Sequence, residues 1–150
     1  MRKRSKRQIR AAEIPCIVMS HIVPEAQIVL LTALQAFRNG WAGPSHFDVM
    51  LDTRDMLLIG SKAKNDADLV EVSRAINVAL ANIRDSWDGN KFYPDQNELN
   101  ALQILVDVSN DFWNRQSGSF YQQAYLTLKQ WRKEQEREKH ESSRIERGTD

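Results

Sequence analysis

DADLVEVSRAINVALANIRDSW, residues Asp66 to Trp87, is the stretch that decides the fold. Leu69, Val72, Ile76, Ala79, Leu80, Ile83 and Trp87 recur at helical spacing, so a helix carries all seven on one side. Asp66 is placed to accept from the free amides at the start. Asp68 adds negative charge to the first turn, where the helix dipole is positive. Gly89-Asn90 then supplies residues that tolerate a left-handed stop. The spacing predicts the central helix of a helical domain.

Toward the N-terminus, Phe47, Met50, Leu51, Leu57 and Leu58 predict a helix that opens at Ser45-x-x-Asp48. That pair is capping-box-like, with Asp replacing the usual Glu or Gln. Gly60 and the polar SKAKND end this helix. Before it, PEAQIVLLTALQAFRN (24–39) has Pro24 in the first turn and Gly40 as its stop. Ala26, Val29, Leu30, Ala33 and Phe37 form one stripe. Ile28, Leu31 and Leu34 widen it until the helix is apolar nearly all round, which predicts burial on more than one side, in the bundle or partly in an oligomer interface. Toward the C-terminus, Phe92 and Tyr93 are expected to fold down onto the bundle. Asp95-x-x-Glu98 is a capping box that opens a helix of about twenty residues carrying Leu99, Leu102, Val106 and Trp113. Ser117-Gly118-Ser119 breaks the chain before a last helix whose inward residues are Phe120, Ala124, Leu128 and Trp131.

The expectation is an all-α fold, a four- to five-helix antiparallel bundle. Its helical domain covers residues 11–131, with a basic arm before it (1–10) and a charged, fraying helix extension after it (132–150). Ten Gly plus Pro in 150 residues favour helices over a strand-and-turn fold. The single cysteine, Cys16, forms no internal disulfide, which suits a reducing cytoplasm. No apolar run is long enough for a membrane span. The apolar stretch after the basic start is broken by Pro15, His21 and Pro24, unlike a secretory signal.

The net charge of +1 hides an asymmetry. Arg2, Lys3, Arg4, Lys6, Arg7 and Arg10 stand in the first ten residues with no acid among them. The rest of the chain carries fifteen basic against twenty acidic side chains. This arm suits phosphate contact with release of counterions, and equally suits a solubilising terminus. In a eukaryotic source, KRSKR would also suit a nuclear localisation signal.

The titratable residues form few constellations suited to catalysis. Asp48, Asp52 and Asp55 share a helix face at i, i+4 and i+7, a spacing able to present oxygen ligands to a divalent cation and equally an ordinary solvent face. There is no Glu-x-x-His pair for a di-iron bundle. Asp52-x-x-Asp55 with Asp85-x-x-Asp88 only approaches the paired acidic motifs of all-α nucleotide pyrophosphohydrolases. Cys16 and His21 lie in apolar surroundings that favour an inert thiol. Phosphate loops, nucleophile elbows and zinc motifs are lacking. No enzyme, metal or cofactor is therefore predicted. Trp87, Trp113 and Trp131 lie at the ends of apolar stripes and read as core. Trp41, in the turn WAGPS, belongs to no stripe and is the candidate anchor for a partner.

The opening Met1–Lys6, MRKRSK, followed by an all-helical chain of this length, resembles small uncharacterised all-α proteins of tailed bacteriophages and prophages of proteobacteria. Those proteins also place a helix ending in Gly near Ala33–Gly40. They commonly continue Tyr-Arg-Pro where this chain reads Arg7-Gln8-Ile9. The resemblance implies a phage accessory protein in the bacterial cytoplasm that binds a host or phage macromolecule. The function expected is non-enzymatic binding of a protein partner, with homo-oligomerisation open. Nucleic-acid contact through residues 2–10 is the alternative, and a membrane role is not expected.

Overall fold

The computed structural model describes residues 23–148, with side chains from Ala26 onward. The basic arm (Arg2, Lys3, Arg4, Lys6, Arg7, Arg10) and the stretch holding Cys16 and His21 lie outside the described residues. Those described form five helices and no strand: α1 (Val23–Arg38), α2 (Pro44–Ala63), α3 (Ala67–Asp85), α4 (Gln96–Asn114) and α5 (Gly118–Gly148).

Local chemistry sets most of the helix ends. Asp66 caps α3 by accepting from the Leu69 amide at 3.1 Å. At α4 the box is reciprocal: Asp95 Oδ1 accepts from the Glu98 amide at 2.7 Å, and Glu98 Oε1 accepts from the Asp95 amide at 3.0 Å. α1 closes on Gly40 at φ 76°, with the Gly40 amide donating to Phe37 O and the Trp41 amide to Ala36 O, the paired bonds of a Schellman stop. Ser117 Oγ accepts from the Phe120 amide and opens α5.

Three local expectations are corrected. The Ser45/Asp48 pair does not cap α2. Pro44 takes the first helical position, Gly43 precedes it as the cap residue, and His46 Nδ1 accepts from the Gly43 amide at 2.9 Å. Gly60 does not end α2 either, because the helix runs through it to Ala63. A Cβ at Gly60 would stand 2.7 Å from Phe112 Cε1 and 2.9 Å from Trp113 Cη2, so its bare Cα is what lets α2 approach α4. Tyr93 stays exposed beside buried Phe92, because its hydroxyl donates to Asp88 Oδ2 at 2.7 Å.

The hub of the bundle is α2, not α3. α2 packs against all four other described helices, whereas α3 packs mainly on α2 and α4. Every residue of α2 from Asp55 to Ser61 is buried. α3 buries one stripe, Ser73, Ile76, Leu80 and Ile83, as its spacing predicts.

Aromatic clusters mark the two ends and show successive helices running antiparallel. At one end Phe92 lies against Phe37 from the end of α1, Phe47 from the start of α2 and Trp87 just past α3, with ring centroids 5.6, 5.5 and 4.6 Å away. At the other, Phe112 and Trp113 close α4 over Gly60, and Phe120 and Tyr121 at the start of α5 pack on Trp113 at 5.8 and 5.0 Å.

A candidate binding cleft between α1 and α5

Helices α1 and α5 both lie on α2 but hardly touch each other. The space left between them is a cleft of about 340 Å³. Ala26, Val29 and Leu30 of α1 and Val49 and Met56 of α2 line it, with Trp113 at the end of α4 and Tyr121, Tyr125 and Leu128 of α5. The lining joins residues from the buried stripe of each helix to residues on its flank. Leu30, Met56, Trp113 and Leu128 are buried at the floor, whereas Val29 is 54% exposed at the rim.

Polar side chains interrupt the apolar wall. Ser109, 2% exposed, is one of them, and its Oγ has no hydrogen-bond partner among the described residues. A buried hydroxyl left unpaired costs about 1–3 kcal/mol, so a group that reaches it gains that much. Asn110, Asn114, Thr53, Gln27 and Asp52 complete the lining. Burial pushes the Tyr121 hydroxyl above its ordinary pKa, with nearby Tyr125 adding to the shift, so Tyr121 meets a ligand as a neutral donor.

One margin of the cleft is an ion cluster. Arg132 Nη2 donates to Asp52 Oδ1 and Asp55 Oδ2, both at 2.7 Å. Arg54 Nη1 donates to Asp55 Oδ1 at 2.6 Å while its Nε donates to Ser73 O at 3.1 Å. Burial pulls the Arg132 pKa down, but the two carboxylates outweigh it and leave it raised. Asp55 thus fastens α2 to α5 and, through Arg54, to α3. The Asp48/Asp52/Asp55 face is therefore an arginine clamp: Asp52 and Asp55 are taken up by guanidinium groups, and Asp48 is exposed and outside the cluster. Among the described residues no three His, Cys, Asp or Glu side chains gather for a metal.

Trp41 is 54% exposed, edge-on to His46 with ring centroids 5.2 Å apart. It follows the opposite end of α1 from the cleft, roughly 20 Å away at 1.5 Å per helical residue, so the two do not form one site. Ile28 and Leu31 are 62% and 49% exposed. The all-round apolar pattern of α1 predicts burial on more than one side, and among the described residues this side of the helix is instead exposed. Ser109 and Arg132 give no signal in the sequence, because both matter only through residues distant in the chain.

Set beside known proteins, the chain matches no family model, no curated protein and no solved structure. What fold and site define is a class: an all-α bundle with an apolar cleft. Among the described residues no helix is long and apolar enough to cross a membrane.

Proposed function

We propose that this chain is a non-enzymatic binding module, a phage-type accessory protein of the bacterial cytoplasm that engages a protein partner through the α1–α5 cleft. The observation that carries the reading is the cleft: apolar walls around an unpartnered Ser109 hydroxyl, opening beside exposed Val29. Clefts of a few hundred Å³ with mostly apolar walls and few polar groups are the usual binding sites of proteins. A partner side chain burying 100 Å² there contributes about 2.5 kcal/mol. The opening residues Met1–Lys6 support the phage assignment by resemblance.

The test is capture from bacterial lysate by the full chain, by Val29→Asp and by Trp41→Ala. A partner retained by the native chain and by Trp41→Ala but lost with Val29→Asp is expected. A partner lost only with Trp41→Ala moves the site to the WAGPS turn and overturns the cleft reading.

A second reading rests on the six cations of residues 2–10, which precede an acidic remainder of the chain. It makes the chain a nucleic-acid-associated protein whose arm contacts phosphates. In a salt titration of DNA and RNA binding, log affinity would then fall with log salt at a slope of at most about 5, and a chain beginning at Ala11 would not bind. Absence of binding at low salt removes this reading.

A further inference from the structure

We propose that the α1–α5 cleft receives one tyrosine side chain of the partner, its ring between the walls and its hydroxyl paired with Ser109. The inference rests on the cleft being the binding site and names the group that a partner must supply.

The walls favour an aromatic body. Trp113, Tyr121 and Tyr125 bring three rings to the lining, and Leu30, Val49 and Met56 bring aliphatic and thioether surface. Trp113 and Tyr121 already stand edge to face, with ring centroids 5.0 Å apart. A further ring beside them gains aromatic contact as well as burial, and a cleft of about 340 Å³ has room for it. A tyrosine has only two side-chain torsions to fix, so little freedom is lost on entry.

Charge is excluded. Among the described residues of the lining there is no Lys, Arg or His, and the one carboxylate, Asp52, is taken by Arg132 at 2.7 Å. An anion entering here meets no cation of the lining. A cation meets a carboxylate that is already paired. Either would leave water without a counter-charge, so the occupant is neutral.

Ser109 selects the polar tip. The residue is 2% exposed, and its Oγ makes no hydrogen bond among the described residues, not even to the carbonyl one turn back. Its hydroxyl turns about a single bond between staggered positions, and turning it toward a group in the cleft breaks no existing bond. Thr53 differs, because its Oγ1 donates to Val49 O at 2.6 Å. The Ser109 hydrogen needs an acceptor, and its oxygen can take a donor. A phenol hydroxyl supplies both, an indole N–H supplies only a donor, and a phenylalanine ring supplies neither. Tyrosine is the match.

The probes are the side chains alone: p-cresol for tyrosine, toluene for phenylalanine and 3-methylindole for tryptophan. Each is titrated into the isotope-labelled full chain and followed by NMR at the Trp113 indole N–H and the Asn110 side-chain amide, both in the lining. Saturable binding of p-cresol is expected with a Kd of about 1 mM, the affinity open to so small a ligand. Val29→Asp, at an exposed rim position, should weaken it several-fold with helix content unchanged. Ser109→Ala should weaken p-cresol about three- to tenfold, the worth of one hydrogen bond, and leave toluene within about twofold.

No saturable shift with p-cresol up to about 10 mM overturns the proposal. So does a shift centred on residues away from the cleft. Equal losses for p-cresol and toluene on Ser109→Ala overturn it by removing the hydroxyl from recognition. A larger loss for 3-methylindole than for p-cresol overturns it in favour of tryptophan. Partner capture is read separately. A partner lost with Val29→Asp from a chain that ignores p-cresol keeps the cleft as the binding site and overturns only its tyrosine anchor.

Discussion

The second half of α2 and the N-terminal half of α1 have similar sequences and opposite fates. DMLLIGS (55–61) includes a carboxylate and a serine, yet every residue of it is buried. EAQIVLLTA (25–33) is at least as apolar, yet it leaves Ile28, Val29 and Leu31 exposed. Apolarity around a helix reports how many sides can be covered, and the neighbours decide how many are. α2 has four helical neighbours among the described elements, so even Asp55 is enclosed, at the cost of two arginines to neutralise it. α1 has two main neighbours, α2 and α4; Val29 stands at the rim of the cleft, while Ile28 and Leu31 lie outside its lining.

The sharpest way to break this contrast is to truncate equivalent leucines. Leu57, fully enclosed in α2, should lose about 3–4 kcal/mol of stability on Leu57→Ala, measured by urea unfolding. Removing the charge from the clamp by Asp55→Asn should cost about 3 kcal/mol, because Arg54, with only 13% of its side chain exposed, loses its counter-charge. Arg132, a third exposed and still paired with Asp52, adds little. A loss under 1 kcal/mol would mean that burial of α2 is apolar packing alone. Gly60→Ala should cost about 1–2 kcal/mol net: a clash with Phe112 and Trp113 is offset by the better helix propensity of alanine. On the α1 side, Leu31→Ala should change stability by less than about 0.5 kcal/mol. A larger loss would show that the open flank is already covered in solution.

The least effect concerns a turn outside both regions. Asp88 accepts from the Lys91 amide, the Tyr93 hydroxyl and the Asn90 amide, which hold its carboxyl down from an ordinary 3.8 to about 2. The same bond raises the Tyr93 hydroxyl. A depressed carboxyl supports the folded turn fully above pH 3.8 and loses that support as pH falls through about 2. Amide exchange at Asn90 and Lys91 should therefore accelerate over that window, ahead of the core amides. Uniform behaviour down to pH 2 would contradict the turn geometry.

What was legible in the sequence was local. Asp66, the Asp95/Glu98 pair and Gly40 each act within a few residues, and the structure places them as their spacing predicts. The stripe of α3 was equally readable, since a one-sided helix writes its burial into its own periodicity. The hub was not. The enclosure of α2 depends on helices tens of residues away, and the 3.6-residue pattern of a helix buried all round carries no direction. Gly60 shows the same limit. Locally it is a helix stop, and only the rings of Phe112 and Trp113 give it another role. Arg132 stands in a run of alternating charges with nothing to distinguish it from Lys133 or Arg137, and its partners lie on α2. The exposure of Trp41 fits the reading of the WAGPS turn as outside every stripe.

Arg132 has a mechanical consequence. α5 continues to Gly148, and from Lys133 onward none of its residues is buried. Sixteen residues at 1.5 Å each make a rod of about 24 Å whose base is gripped by Arg132. Exchange along α5 should drop sharply where the guanidinium grips Asp52 and Asp55. Arg132 is thus the point at which fraying of the outer helix is arrested before it reaches the cleft, and any load applied to the rod is delivered to α2.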